Sequence, residues 1–159
     1  MTTNGVPQSF NNFQLSDGSL VNVAIMDTSG QERFKALNSQ YYKSADGILL
    51  VYDISNRASF DEIKDYYNEE IKEKCKPEIK VILLGNKTDL GEKREISPEE
   101  GANFAAENNY MFMETSCLKN NYVADCFETL IELSYRDALE RNIALNLKNP
   151  KSKNKKCCW

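Results

Sequence analysis

A short loop after a predicted strand carries residue types that could bind a phosphate group and its metal ion. Asp27, Gly30 and Gln31 follow the apolar run at residues 19–26, and ligands of parallel sheets gather beyond the carboxyl ends of strands. The carboxylate of Asp27 could face Mg²⁺ through water, and the N–H of Gly30 could reach a terminal phosphate. The amide of Gln31 could orient an attacking water. The alternative is a strand-terminal Asx turn without a ligand.

A second loop carries a pattern that suits the recognition of guanine. Asn86, Lys87 and Asp89 follow the apolar run at residues 79–85. An aspartate can accept two hydrogen bonds from guanine N1–H and N2–H₂, a donor pair that adenine lacks. Asn86 can hold the loop and contact N7, while the stem of Lys87 can cover the ring. The motif is short, so by itself it also fits a chance occurrence.

A third loop is predicted at the same edge of the sheet. Ser116 and Cys117 follow the run at residues 110–114, and the backbone N–H of Cys117 could contact guanine O6. Three such loops, each after a strand, form a joint signal that is stronger than any one of them. Together they indicate a site for a guanine nucleotide.

The elements that must position these loops are predicted from the periodicity of the apolar residues. Asp17–Gly18 between two β-prone runs predicts a hairpin. Three short apolar runs, typical of buried parallel strands, alternate with helical patterns. Helices are predicted to begin at a capping box from Ser59 to Glu62 and at Ser97-Pro98. The pattern predicts an α/β fold with right-handed crossovers, with strands at 11–14, 19–26, 47–54, 79–85 and 110–114 and a last helix at 122–141.

The composition excludes several classes of protein. The 159 residues fit one domain, and 41% hydrophobic with 28% charged residues indicate a globular chain. No apolar run approaches the roughly 18 residues that span a bilayer. The five cysteines contain no C-x-x-C pair, so a reducing compartment is expected rather than a zinc site or a disulfide framework. The absence of histidine excludes Ser-His-Asp and Cys-His catalysis.

Charge is distributed unevenly along the chain. Beyond Glu140 there are six basic residues and no acidic ones, and the rest of the chain has 14 basic against 24 acidic residues. Such an acidic core would repel phosphates, so nucleic acid is not an expected partner. We predict a domain at 1–141 and a flexible basic tail at 142–159 that ends in the pair Cys157 and Cys158.

These motifs together resemble a small GTPase of the Ras superfamily, and more closely the Rab family. The three loops, the paired tyrosine at Tyr41 and Tyr42 and the terminal cysteine pair carry the resemblance. It implies a Ras-like P-loop GTPase fold with a mostly parallel sheet, GTP or GDP with Mg²⁺ as cofactors, and regulation of vesicle transport. An α/β domain with chance loop motifs is the alternative.

The resemblance also implies roles for single residues. Thr3 falls at the switch I threonine, which binds Mg²⁺ together with Asp27, and Gln31 falls at the glutamine of hydrolysis. Phe34 and the tyrosine pair would present a surface to effectors, an exchange factor and a GTPase-activating protein. The implied nucleotide site comprises Asp27, Gly30, Asn86, Lys87, Asp89, Ser116 and Cys117.

The chain end resembles a Rab geranylgeranylation site. Only Trp159 follows Cys157 and Cys158, which does not match a C-a-a-X box. The resemblance implies that both cysteines are lipidated with the help of a prenylation escort protein. This implies residence on the cytosolic face of intracellular membranes, with a cytosolic pool.

The phosphate-binding pattern G-x-x-x-x-G-K-[ST] does not occur in the 159 residues. The resemblance places it upstream of Thr3, with the first strand and first helix of the family. We therefore expect two unpaired strand edges, weak or absent guanine nucleotide binding and impaired GTP hydrolysis by this chain alone. Two functions follow: a GTP/GDP switch of vesicle transport of which these residues are a fragment, or a non-catalytic, membrane-tethered interaction module without nucleotide binding.

Overall fold

The predicted Asp-Gly hairpin is present in the computed structural model, which describes residues 8–28 and 41–148. Strands β1 (Gln8–Gln14) and β2 (Leu20–Met26) pair antiparallel, and the first strand begins three residues earlier than predicted. Gly18 has φ of +85°, a left-handed conformation that glycine adopts without steric cost. The Asp17 carboxylate accepts the Ser19 N–H at 2.8 Å and thereby closes the turn.

The three buried runs form a parallel sheet, as predicted. Strands β3 (Gly47–Asp53), β4 (Lys80–Asn86) and β5 (Met111–Glu114) lie in this order, with β4 in the centre. The register places Asp53 opposite Asn86, and Gly85 of β4 opposite Glu114. The carboxyl ends of the three strands therefore reach one edge together.

Helices connect these strands. A continuous helical segment leads from β3 towards β4, and its middle winds as a π-helix. It consists of α1 (Arg57–Glu62), the π-helix Ile63–Tyr67 and α2 (Asn68–Lys74). A 3₁₀ helix at Thr88–Lys93 follows β4, and the remaining helices are α3 (Pro98–Glu107) and α4 (Val123–Lys148). Residues 41–44 form one further helical turn.

The two predicted helix starts have different outcomes. Ser97 caps α3 as predicted, because its hydroxyl accepts the Glu100 N–H at 3.0 Å and Pro98 takes the first helical position. The capping box at Ser59 is wrong: α1 begins at Arg57, so Ser59 lies inside the first turn. The reason is tertiary, since a distant carboxylate, that of Glu95, accepts the Arg57 N–H at 2.7 Å and replaces the local cap.

The hydrophobic core lies between the parallel sheet and the helices. On one side of the sheet the core includes Leu50 and Tyr52 of β3 and Ile54 just after this strand. These side chains share a cluster with Phe60 of α1. Helix α4 packs closely over the start of β3: a Cβ on Gly47 would lie 2.8 Å from the Leu130 side chain. Glycine is therefore required at the start of β3 by the close approach of this helix.

In the described part of the chain the strands form two separate sheets. The hairpin makes one, and the parallel strands make the other. Strand β3 has a paired neighbour only in β4, and its Val51 side chain is 50% exposed. The open strand edges that the sequence predicts are confirmed for residues 8–28 and 41–148. The hairpin turn contacts α4 instead, through the Ser16 hydroxyl and the Glu132 carboxylate.

The last helix is longer than predicted. It continues past Arg141 to Lys148, so the first seven residues of the predicted flexible tail are helical and that boundary is wrong. Arg141, the last residue of the predicted helix, contacts the Glu78 carboxylate at 2.8 Å. Among the described helices, none combines the length and the apolar composition that a bilayer crossing requires.

Candidate functional site

The side chain of Asn86 joins two of the predicted loops at the carboxyl edge of the parallel sheet. Its Oδ1 atom accepts the Lys87 N–H at 2.7 Å within its own loop. The same oxygen accepts the Cys117 N–H at 3.3 Å and the Thr115 hydroxyl at 3.4 Å. Asn86 thus holds the loop after β4 against the loop after β5. Its predicted contact with guanine N7 stays a prediction.

A second connection between these loops runs through Asp89. The Ser116 hydroxyl, which is fully buried, donates to Asp89 Oδ1 and accepts the Lys119 N–H at 3.1 Å. The Thr88 N–H also donates to the Thr115 carbonyl at 3.0 Å. The Asp89 carboxylate is therefore held in one orientation by the other loop, with Oδ2 left for a ligand.

Lys87 lies between these two anchors in a left-handed backbone conformation, with φ of 66°. Its Nζ atom lies 2.6 Å from Asp53 Oδ2 at the end of β3. The hydrogen bond and charge of Asp53 raise the pKa of Lys87 above its ordinary value. Desolvation acts to raise the pKa of Asp53, but hydrogen bonds from Lys87 and Ser55 outweigh it and hold that pKa below its usual range.

The loop after β4 is also held by an ion pair between two partly buried side chains, Arg94 and Glu114. Arg94 donates two hydrogen bonds to the Glu114 carboxylate, at 2.6 and 3.0 Å, and a third to the Ile96 carbonyl at 3.1 Å. Paired N–H donors of this kind restrain a guanidinium in both position and angle. The segment that follows Asp89 is therefore tied to the last residue of β5. Next to it, residues 88–93 line an open depression of about 440 Å³.

The structure brings five of the predicted nucleotide residues together, whereas Asp27 follows a strand of the other sheet. Asn86, Lys87, Asp89, Ser116 and Cys117 form the connected network of the two loops. Asp27 is exposed at the end of β2, in the hairpin sheet rather than the parallel sheet. Three other predicted residues, Thr3, Gly30 and Gln31, lie outside the described residues, as do Phe34, Cys157 and Cys158.

Two further residues contribute to this network: Asp53, which none of the three predicted loops contains, and Thr115, which lies in the predicted third loop without a predicted role. Asp53 and Thr115 each stand at or just after the carboxyl end of a predicted strand, the position where functional side chains of parallel sheets collect. That rule, applied to β3 as it was to the other strands, would have found Asp53. Within residues 8–28 and 41–148, no group of three carboxylates or thiols converges on a point that suits a metal ion.

The sequence of the chain matches a known protein family. The sequence profile of the Ras family matches residues 1–136, which is most of the chain and includes all three loops. The chain belongs to the Ras family. The predicted Ras-like α/β fold of this family member is therefore confirmed.

Several relatives of this Ras-family chain carry Rab names. It is 41% identical over 130 residues to Ras-related protein RABA4c of Arabidopsis thaliana, covering 82% of this chain and 58% of that protein. It is 39% identical over 142 residues to GTP-binding protein ypt3 of Schizosaccharomyces pombe, covering 89% and 65%. For Ras-related protein Rab-8A of Gallus gallus the identity is 42% over 114 residues, covering 72% and 55%.

These matches confirm the resemblance to Rab proteins. They also show that the Ras-family chain spans little more than half the length of several of its relatives. The matched residues include the loops around Asn86 and Ser116, because the family profile extends to residue 136. The described network thus lies in the part of the chain that the family shares.

Proposed function

We propose that this chain carries the base-recognising part of a Rab-like GTP/GDP switch that regulates vesicle transport. The observation that carries the proposal is the pair of loops joined by Asn86 and by the bond between Ser116 and Asp89. This network presents one fixed carboxylate and one backbone N–H at the same sheet edge. Such an arrangement matches the donor and acceptor pattern of guanine better than that of any other common base.

The residues present fit a guanine ring. Asp89 keeps one oxygen beyond the bond from Ser116, and a carboxylate can accept the two neighbouring N–H donors of guanine. The Cys117 N–H bonds Asn86 at 3.3 Å, a long hydrogen bond that can be shared with or ceded to a carbonyl oxygen of the base. The roles of Lys87 in covering the ring and of Cys117 in contacting O6 stay predictions.

The phosphate end of the site rests on other residues. In the proposed switch, Asp27 and Thr3 hold Mg²⁺, Gly30 donates its N–H to the terminal phosphate, and Gln31 orients the attacking water. GTP supplies the phosphoanhydride bond that is cut. The phosphate cradle supplies the strongest, charge-assisted contacts of such sites, so we expect the 159 residues alone to bind GTP or GDP very weakly.

A chimera provides the test of this function. The residues of ypt3 that precede its matched region, which the family resemblance predicts to include the phosphate-binding loop, are joined ahead of Met1. We expect Mg²⁺-dependent binding of a fluorescent GDP at micromolar or lower concentration by the chimera, and no such binding by the 159-residue chain. Gln31→Leu in the chimera should leave binding intact and slow hydrolysis.

The same experiment separates the two function hypotheses. A chimera that binds no guanine nucleotide would contradict the switch and favour a non-catalytic interaction module tethered to membranes. Tight binding by the 159 residues alone would contradict the need for an upstream phosphate cradle. Effectors, an exchange factor and a GTPase-activating protein acting through the switch surfaces remain part of the proposal, as does residence on the cytosolic face of intracellular membranes.

A further inference from the structure

Asp53 lies outside all three predicted loops. It nevertheless contacts the loop after β4 directly, through its ion pair with Lys87. We propose that Asp53 is a positioning residue for base recognition, which fixes the direction of the Lys87 side chain beside Asn86 and Asp89. This inference rests on the proposed function, since it names a further residue of the same site. Asp53 acts through Lys87 and is not itself placed in contact with the nucleotide.

The carboxylate of Asp53 has a single orientation. Its Oδ1 atom accepts the backbone N–H of Ser55 at 2.8 Å and the Ser55 hydroxyl at 2.7 Å. This leaves Oδ2 for Lys87, and the side chain of Asp53 is only 18% exposed. The backbone is held as well, because the Asp53 N–H donates to the Ser59 hydroxyl at 3.0 Å. Lys87 therefore meets a fixed partner rather than a mobile surface charge.

The backbone sets the distance between the two residues. The Ile54 N–H donates to the Asn86 carbonyl at 3.1 Å, which continues the pairing of β3 with β4 beyond the strand ends. The Ile54 carbonyl accepts the N–H groups of Glu95 and Ile96 at 2.9 and 3.2 Å. The loop from Asn86 to Ile96 is thus fastened to Ile54 at both ends. Asp53, next to Ile54, is therefore linked to this loop through backbone hydrogen bonds of its neighbour.

A surface ion pair at the other end of β3 has a much more exposed carboxylate. Asp46 lies 3.2 Å from Lys76 Nζ, and its side chain is 66% exposed. Exposed ion pairs of this kind contribute little to stability, because both side chains lose conformational entropy and their attraction is weak in water. Asp46 therefore serves as a matched control for Asp53, with the same substitution and a lysine partner in each case.

The first experiment tests the ion pair between Asp53 and Lys87 in the 159-residue chain without any nucleotide. Acylation of Lys87 by an N-hydroxysuccinimide ester is followed by mass spectrometry of the peptide. Because the pair keeps the amine protonated, Asp53→Asn should raise the labelling rate of Lys87 about threefold, the scale of one partly exposed charge pair. Asp46→Asn should leave that rate unchanged. Equal labelling rates of Lys87 in the wild-type and Asp53→Asn chains would contradict the ion pair between Asp53 and Lys87.

The second experiment measures the consequence for the nucleotide in the chimera. Asp53→Asn should speed the release of fluorescent GDP about fivefold and leave the preference for guanine over xanthine unchanged, because Asp89 reads the base. Lys87→Met keeps the stem and removes the charge, so in that background Asp53→Asn should have no further effect. An equal acceleration in both backgrounds would overturn the positioning role, since Asp53 would then act through Ser55 alone.

The two proposals fail in different ways. Absence of guanine nucleotide binding by every chimera, including the one with wild-type Asp53, would contradict the proposed function and with it this role of Asp53. Normal binding and unchanged release in the Asp53→Asn chimera would contradict the role of Asp53 while leaving the proposed function intact.

Discussion

The buried hydroxyl of Ser116 donates a hydrogen bond to the Asp89 carboxylate, 27 residues earlier in the chain. The bond joins the loop after β5 to the loop after β4 and fixes the acceptor proposed to read guanine. Ser116 also accepts the Lys119 N–H at 3.1 Å, so its hydroxyl is satisfied as donor and acceptor. In the proposed site, Ser116 would therefore support base recognition without contact to the base.

Removal of the Ser116 hydroxyl should weaken nucleotide binding in the chimera. Ser116→Ala deletes a hydrogen bond to a charged acceptor and leaves the Lys119 N–H without its partner, so we expect GDP release to be roughly tenfold faster. Stopped-flow fluorescence measures this rate. Ser134→Ala is the control, because Ser134 bonds the Asp46 carbonyl at the opposite end of β3. Equal release rates for Ser116→Ala and the control would contradict the role of Ser116.

Asp89→Asn should exchange the preferred base. Asparagine replaces one acceptor oxygen by a donor, which mismatches the two donors of guanine but can meet the carbonyl that xanthine carries at position 2. A buried donor left unpaired costs about 1–3 kcal/mol, so guanine affinity should fall while xanthine affinity rises. Competition of GDP and XDP against fluorescent GDP in the chimera checks this. Unchanged preference would show that Asp89 does not read the base.

Two tyrosines should respond differently to the same substitution. Tyr52 Oη is buried without a hydrogen-bond partner among the described residues, whereas Tyr110 Oη donates to the buried Asn68 at 2.8 Å. We expect Tyr52→Phe to be neutral or to raise the free energy of unfolding by about 1 kcal/mol, and Tyr110→Phe to lower it by about 1–2 kcal/mol. Urea denaturation measures both. Destabilisation by Tyr52→Phe as large as that by Tyr110→Phe would contradict this difference in hydrogen bonding between the two hydroxyls.

The contribution of Asp53 to stability should depend on pH only in acid. Bonds from Lys87 and Ser55 hold the folded pKa of Asp53 below its ordinary 3.8 despite opposing desolvation. A lowered pKa means that the contribution is complete above 3.8 and is lost as the pH falls through the folded value. The difference in urea midpoint between wild type and Asp53→Asn should therefore be constant from pH 7 to 5 and shrink towards pH 3. A difference that grows in acid would contradict this sign.

The cysteine pair should decide membrane association. Two lipid chains give stable anchoring where one gives only reversible contact, and basic residues nearby add attraction to anionic lipids. Cys157→Ser with Cys158→Ser in the chimera should therefore move the protein from the membrane fraction to the soluble fraction of cells. Cys75→Ser serves as the control, since Cys75 packs against the core. Equal membrane association of the double variant and wild type would rule out the lipid anchor.

Local sequence patterns were sufficient for the order and type of most elements. The Asp17–Gly18 turn and the cap at Ser97 follow from interactions between residues close in the chain. The positions of the three buried strands follow from short apolar runs, which are also local in sequence. The motif around Asn86 and Asp89 is equally local, so the sequence alone pointed to a guanine site and to the Ras family.

Tertiary structure alone decided how these pieces are held. Asn86 meets Cys117 and Lys87 meets Asp53 because strand register brings distant loops to one edge, and no local pattern encodes that register. The helix start moved from Ser59 to Arg57 for the same reason, since a carboxylate 38 residues away satisfies its N–H. Sequence by itself therefore determined which groups could do the chemistry, while packing of the sheet determined which of them meet.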